Sequence, residues 1–174
     1  MTYSTHKPAL IIIGVMGPGD GATADDCEAA YQLGRSIADR GWVVLTGGRN
    51  AGVMDAANRG AKDAGGLTIG ILPGCDRTSM SAAVDIPIVT ALGNARNAIN
   101  ALSSHVMIAC GIGAGTASEI ALALKEQTPV ILLNHSPETY SFFQQLTRDH
   151  VWMAPSPDDA VAIAQRLLEQ QAFQ

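Results

Sequence analysis

The chain has 174 residues, of which 47% are hydrophobic, with 18 glycines and a formal net charge of −5. This length and apolar content favour one domain with a sizeable core. The acidic balance, with no run of Lys or Arg, argues against a nucleic-acid partner. The apolar run at residues 8–13 is too short for a signal peptide or a membrane helix, so no membrane partner is expected. Three widely spaced cysteines without a CxxC motif (Cys27, Cys75 and Cys110) are typical of reduced thiols, so we expect a cytoplasmic protein.

Apolar segments of strand length alternate with segments of helical spacing along the whole chain. Strands are predicted at residues 9–15, 42–45, 67–72, 86–89, 106–110, 130–133 and 151–153. Helices are predicted at residues 24–40, 53–64, 95–104, 116–126, 140–146 and 157–171, and a loop at residues 74–83. Continuous apolar strands are typical of parallel sheets covered on both faces, and β/α alternation gives right-handed crossovers. We therefore predict an α/β fold: a single domain over residues 1–174, with a Rossmann-like, doubly wound parallel sheet that binds ligands at the carboxyl ends of its strands.

Three of these strands end in glycine-rich turns that lead into helices, at residues 14–21, 46–54 and 111–116. A helix N-terminus offers unpaired N–H groups, and glycine lets a phosphate approach the backbone. Because the carboxyl ends of the strands share one edge, the turns would converge on one crevice for a small phosphorylated ligand. Free phosphate or sulfate-type anions would bind at the same turns. One such turn alone is often only a packing feature, and the first is the weakest of the three, since Pro18 and Asp20 resemble an ordinary helix start.

Few charged side chains flank these turns. Arg96 opens the predicted helix after the fourth strand, and Glu119 follows Thr116 by three residues. Thr116 and Glu119 fit a capping box. Alternatively, Glu119 faces the crevice as an acid, a base or an acceptor for ligand donors. Arg49 is either a phosphate ligand or a solvated charge.

Other site chemistries find little support in the sequence. The first turn lacks the GxGxxG spacing of dinucleotide-binding enzymes, and the second strand ends in Thr46 and Gly47 rather than an acidic residue. Ser118 lacks a GxSxG context. The four histidines show no metal-ligand spacing, so no metal site is predicted. Cys110 ends a buried strand, where a core role is favoured and a ligand role stays open.

Two segments together resemble the LOG-like proteins, a superfamily once misnamed lysine decarboxylases. The stretch GGRNAGVMDAA at residues 47–57, followed by GA at 60–61 and AGG at 64–66, is similar to their GGxxGxM…GA…AGG segment. The stretch GAGTASE at residues 113–119 is similar to their GxGTxxE core. The resemblance covers residues 9–135.

The resemblance implies two alternative functions. In the cytokinin-activating members, which hydrolyse nucleoside 5′-monophosphates, an arginine and a glutamate act at the positions of Arg96 and Glu119. This chain departs from them, because Asn97 replaces the lysine after the arginine and residues 111–112 replace a Pro-Gly pair. The ARN stretch at residues 95–97 and the segment 113–125 look more similar to the molybdenum-cofactor carrier proteins. These are non-catalytic oligomers that bind a pterin bearing one phosphate and a dithiolene-held molybdenum oxide.

The favoured hypothesis is therefore a non-catalytic carrier that stores and protects the molybdenum cofactor (molybdopterin) for transfer to a molybdoenzyme. The resemblance also implies a homo-oligomer, a dimer or a tetramer. A nucleoside 5′-monophosphate phosphoribohydrolase with Arg96 and Glu119 as its catalytic pair stays open as the alternative. The predicted ligand-binding residues are Gly14, Gly17, Gly47, Gly48, Arg49, Asn50, Gly52, Val53, Met54, Arg96, Asn97, Gly113, Ala114, Gly115, Thr116 and Glu119.

Overall fold

Seven parallel strands form one sheet in the computed structural model, which describes residues 10–147 and 149–171. The strands are β1 (Ile12–Met16), β2 (Val43–Thr46), β3 (Thr68–Leu72), β4 (Ile86–Val89), β5 (Val106–Cys110), β6 (Val130–Leu133) and β7 (Val151–Ala154). The helices are α1 (Ala24–Ala38), α2 (Gly52–Asp63), α3 (Asn97–Leu102), α4 (Ala114–Lys125), α5 (Pro137–Leu146) and α6 (Pro157–Gln171). The strand order β4-β3-β2-β1-β5-β6-β7 confirms the predicted Rossmann-like α/β fold.

Apolar side chains cover the sheet on both faces, as its continuous hydrophobic strands require. One core cluster joins the sheet to α1, α2 and α6, through residues such as Leu33, Ala57 and Val161. The other joins it to α3, α4 and α5, through residues such as Ala101 and Ile120. The order of the strands reverses direction between β1 and β5, so the crevice for a ligand opens beside the carboxyl end of β1.

The predicted strands at 86–89, 106–110 and 130–133 agree with the structure, as does the helix at 157–171. The predicted first strand, 9–15, is instead Ile12–Met16, and residue 9 lies outside the described residues. A helix was predicted at residues 95–104, and the structure has the shorter α3 within this range, preceded by a 3-10 helix, Gly93–Arg96. The left-handed backbone of Ala91 and Gly93 makes this a tight turn rather than a regular helix start.

Two further helices begin earlier than predicted. Helix α4 begins at Ala114 rather than at residue 116, because Gly113 is its N-cap. Helix α5 begins at Pro137, because the Ser136 hydroxyl accepts the N–H of Thr139 and proline is favoured in a first turn. No helix in the described part of the chain is long and apolar enough to cross a membrane.

Strand β4 forms one edge of the sheet and is the least covered strand. It pairs in parallel with β3 and contains a proline, Pro87. Ile86, Ile88 and Val89 are all exposed. Its other edge is free within the part of the chain that the structure describes.

Candidate functional site

A cleft of about 330 Å³ opens at the carboxyl edge of the sheet, above the ends of β1, β2 and β5. This volume lies within the range of small-molecule sites. It brings together many of the residues that the sequence predicts, namely Gly17, Gly47, Arg49, Met54, Arg96, Asn97, Gly113, Ala114, Gly115, Thr116 and Glu119. The lining residues that the prediction left out are Met16, Pro18, Gly19, Gly21 and Asn94.

Arg96 lies in the wall of the cleft with only 9% of its surface exposed. Its Nη1 donates to the carbonyl oxygen of Ile71 at 2.9 Å, and its Nε has no partner within the described residues. Burial lowers the pKa of Arg96 from its usual value, and the nearby Glu119 partly opposes this shift. Even with this lowered pKa, the arginine stays charged at neutral pH. The wall of the cleft therefore holds a buried cation, and the Nε of that cation is itself buried and, within the described part of the chain, unpaired.

Gly47 makes room for this arginine. A Cβ atom at Gly47 would overlap Nη1 of Arg96 and would lie 2.6 Å from its Cζ. The sequence suggested that this glycine lets a phosphate approach the backbone. The structure instead fills the space beside it with the guanidinium group.

Glu119 lies on α4 and lines the same cleft, with 6% of its surface exposed. Asn100 of α3 donates its Nδ2–H to Oε1 of Glu119 at 2.7 Å. Burial raises the pKa of Glu119, while the hydrogen bond from Asn100 and the charge of Arg96 partly oppose that rise. The capping-box alternative was wrong, because the N-cap of α4 is Gly113 and Thr116 lies inside the helix.

Asn97 holds two elements of the cleft together. Its Nδ2 donates to Oγ of Ser118 at 2.7 Å and lies 3.5 Å from the carbonyl oxygen of Gly115. The Ser118 hydroxyl in turn donates to the same carbonyl at 2.7 Å. The start of α3 is therefore tied to the first turn of α4 by an amide that is already engaged.

The N-terminus of α4 is open to the cleft. Its N-cap, Gly113, has no side chain to accept the first N–H groups of the helix. A Cβ atom at Gly115 would meet nothing within 4 Å. Unpaired N–H groups at a helix N-terminus, together with the helix dipole, favour an anion.

The N-terminus of α2 is covered instead. The carbonyl oxygen of Pro18 accepts the N–H of Val53 at 3.1 Å. Gly52 has a positive φ of 49°, and a Cβ there would overlap the carbonyl oxygen of Gly19. Neither Gly52 nor Val53 lines the cleft, because the first glycine-rich turn folds over this helix end. The two helix ends that the sequence treats as equivalent are thus different.

Three other predicted residues also lie away from the cleft lining. A Cβ atom at Gly14 would overlap Oγ of Ser104, so this glycine serves packing between β1 and the end of α3. Gly48 has a φ of 73° and packs against Gly70 of β3. Asn50 is exposed, and its backbone N–H donates to the carbonyl oxygen of Ser79.

Side chains from β2 and α2, together with the loop at residues 74–83, hold the second glycine-rich turn (residues 46–54) in place. The hydroxyl of Thr46 accepts the N–H of Gly48 and Nδ2 of Asn58, both at 3.0 Å, and the Asn58 side chain is fully buried. The loop at residues 74–83 pairs with the turn through a bridge between Arg49 and Met80. Sequence periodicity could not reveal Asn58 or Asn100, because each is recognisable only by the partner that it meets across the fold.

Other charged and sulfur-bearing side chains lie at the margins of the site or outside it. Arg49 faces Asp20 at 3.4 Å across the mouth of the cleft. Asp76 accepts from the backbone and hydroxyl of Thr78 in the exposed loop. Burial raises the pKa of the Cys110 thiol to about 12, and this residue is not part of the cleft lining. Within the described residues, no group of three or more His, Cys, Asp or Glu side chains could hold a metal ion.

Known proteins share this fold, and they identify the family to which the chain belongs. The profile of the SLOG cluster4 family matches residues 10–161. The chain belongs to the SLOG cluster4 family. Among solved structures, this family member is similar to the molybdenum cofactor binding protein from the phototrophic bacterium Rippkaea orientalis. The identity is 57% and the TM-score 0.90, over 92% of this chain and 98% of the other.

Two further relatives of this SLOG cluster4 chain bear on function. The molybdenum cofactor carrier protein from Chlamydomonas reinhardtii is 51% identical with a TM-score of 0.89, over 92% of this chain and 99% of that one. A cytokinin riboside 5′-monophosphate phosphoribohydrolase of Mycobacterium marinum is 30% identical over only 73 residues, which cover 42% of this chain and 39% of the enzyme. The similarity to the carrier thus extends over nearly the whole chain, and the similarity to the enzyme over less than half.

Proposed function

We propose that this protein is a non-catalytic carrier of the molybdenum cofactor, which it stores, protects and passes to a molybdoenzyme. The observation that carries the proposal is the similarity to a molybdenum cofactor binding protein, at 57% identity over 98% of that chain. The cleft supports it physically, since it is large enough for a small ligand and lies at the expected edge of the sheet.

The residues of the cleft fit a phosphorylated pterin. The open N-terminus of α4 suits its phosphate. The buried guanidinium group of Arg96 adds positive charge beside the place for an anionic group. When bound, the cofactor brings its own molybdenum, so the carrier only has to hold it and shield it from water.

The asparagine at position 97 supports a carrier function rather than nucleotide hydrolysis. The cytokinin-activating enzymes that this chain resembles have lysine at this position. Here the amide of Asn97 is engaged with Ser118 and lies beside the carbonyl of Gly115. It braces the binding turn and adds no charge to the site.

The proposal is tested by loading the purified protein with the molybdenum cofactor and measuring its transfer to a cofactor-free molybdoenzyme. Gly115→Val puts a side chain into the open space beside the N-terminus of α4, so we expect binding to fall at least about tenfold. Its fold should be unaffected, because glycine is a poor helix former. Gly74→Val is the matched control, since Gly74 is also uncrowded and lies outside the cleft lining. Absence of cofactor binding by the unaltered protein would refute the proposal.

A phosphoribohydrolase is the second candidate, because the structure brings Arg96 and Glu119 into one cleft. Burial keeps the Glu119 carboxyl partly protonated at higher pH than usual, as a general acid requires. Release of adenine from AMP, lost in Glu119→Ala, would establish this activity. No release from any nucleoside 5′-monophosphate would remove it.

We further propose that the carrier works in the cytoplasm as a single-domain subunit of a homo-oligomer, without nucleic-acid or membrane partners. The resemblance to oligomeric carriers supports the assembly, and the acidic charge supports the absence of nucleic acid. Light scattering at micromolar protein concentration measures the number of subunits, and a monomer would contradict the assembly.

A further inference from the structure

The contact between Asn100 and Glu119 lies in the wall of the cleft and joins α3 to α4. Asn100 is fully buried, and its Nδ2 donates to Oε1 of Glu119 at 2.7 Å. Its backbone carbonyl accepts the hydroxyl of Ser104, just beyond the end of α3, at 2.8 Å, a contact that does not involve the side-chain amide. The Asn100 amide is thus held where it can orient a carboxyl group.

This contact occupies one oxygen of Glu119 and leaves the other free. Within the described residues, Oε2 has no hydrogen bond, and it is not among the buried atoms without a partner. Because Glu119 lines the cleft, Oε2 is the atom that a ligand meets.

The Asn100 amide has an unsatisfied atom of its own. Its Oδ1 is buried without a partner in the described part of the chain. A buried, unpaired carbonyl oxygen destabilises a fold, so such a group in a native protein calls for an explanation. An apolar side chain of similar size would pack at this position without that cost.

We propose that Asn100 is a positioning residue that fixes the Glu119 carboxyl group with Oε2 directed at the ligand, where it accepts a hydrogen bond from an N–H donor of the pterin ring. The identity of the ligand rests on the proposed function, whereas the positioning of Glu119 does not. A carboxylate repels phosphate and molybdenum-bound oxygen, so Glu119 takes the donor-bearing end of the ligand. The anionic end lies with Arg96 and the N-terminus of α4.

The amide of Asn100 suits either protonation state of Glu119. An ionised carboxylate accepts from Nδ2, as the structure has it. A protonated carboxyl can donate to Oδ1 after the amide turns over, which would satisfy the unpaired oxygen. Arg96 is the charged group that acts on Glu119, and it favours the ionised state. In both states Oε2 stays available to the ligand.

The positioning role is tested without any ligand, by following the carboxyl carbon of Glu119 by NMR as the pH is raised. Asn100→Leu removes the donor, so the pKa of Glu119 should rise by about one unit. Asn100→Ala also removes the amide donor and adds neither bulk nor charge beside Glu119, so it should raise the pKa as well if the leucine variant does not fold. Ser104→Ala is the matched control, since it loses a buried hydrogen bond to the backbone of Asn100, leaves the side-chain amide in place and should leave the titration unchanged.

The recognition role is tested with the isolated molybdenum cofactor. We expect both Asn100 variants to bind it about tenfold more weakly than Ser104→Ala. Equal affinities and equal Glu119 titrations in all variants would overturn the proposal. If the unaltered protein binds no cofactor, the proposed function fails, and the NMR titration alone still decides whether Asn100 positions Glu119.

Discussion

Replacing Gly47 by alanine is expected to displace Arg96 from its position in the wall of the cleft. The added Cβ would overlap Nη1 of Arg96 and lie 2.6 Å from its Cζ. Gly47 is not among the residues with a positive φ, so alanine adds no backbone strain. The guanidinium group is the end of a flexible side chain and can move. Its movement gives up the 2.9 Å hydrogen bond to the Ile71 carbonyl.

That lost hydrogen bond sets the size of the effect. A hydrogen bond to a charged group stabilises a protein by about 1.5–3 kcal/mol. Alanine recovers part of this, about 0.4–1 kcal/mol, by restricting the unfolded chain. The net decrease in the free energy of unfolding should therefore be about 1–2 kcal/mol. Binding of an anionic ligand should weaken as well, because Arg96 is no longer held at the site.

A double-mutant cycle separates this mechanism from a general disturbance of the turn. Urea unfolding is followed by tryptophan fluorescence in four proteins: the unaltered chain, Gly47→Ala, Arg96→Met and the double variant. In the Arg96→Met background, Gly47→Ala should not lower the free energy of unfolding, because the guanidinium group that it displaces is absent. Additivity of the two changes within about 0.5 kcal/mol would refute the role given to Gly47.

Three further predictions concern groups around the cleft. Burial raises the pKa of Glu119, so its stabilising contribution is complete below the unfolded pKa of about 4.3 and is lost as the pH rises through the folded pKa. Glu119→Gln should therefore unfold at higher urea than the unaltered protein at pH 8, with a smaller difference near pH 4. Thr46→Val leaves the buried amide of Asn58 without its acceptor and should lower the free energy of unfolding by about 2 kcal/mol, measured in the same way. Asn97→Leu and Ser118→Ala each break the same hydrogen bond between the two side chains, so the double variant should lose no more stability than the more damaging single variant. A fully additive loss of stability would contradict this coupling.

The fold could be predicted from the sequence because its strands are apolar runs bounded by clear breaks. Strands β4, β5 and β6 match their predicted limits for this reason. The start of α4 was misplaced because glycine gives no side-chain cap to recognise, and the pattern of Thr116 and Glu119 resembled a cap at the wrong position. Local patterns thus identify elements well and their ends less well.

The sequence predicted where the cleft lies, but it predicted only some of the contacts within it. Arg96 and Glu119 both line it, as the resemblance implied. The sequence could not distinguish a glycine that admits a ligand, such as Gly115, from one that admits a side chain, such as Gly47. It also could not show Asn100, because an asparagine on a short helix has no periodic signal. These distinctions depend on which residues meet across the sheet.

The exposed edge of β4 has a consequence for aggregation. The N–H of Thr90 donates to the carbonyl of Leu72, so every second residue of the strand turns its backbone toward β3 and Pro87 turns its nitrogen outward. Proline has no N–H to offer there, so a strand added from another molecule would meet a gap in its hydrogen-bond ladder. The apolar side chains of β4 can therefore contact another surface, while the backbone resists serving as a template for fibril growth.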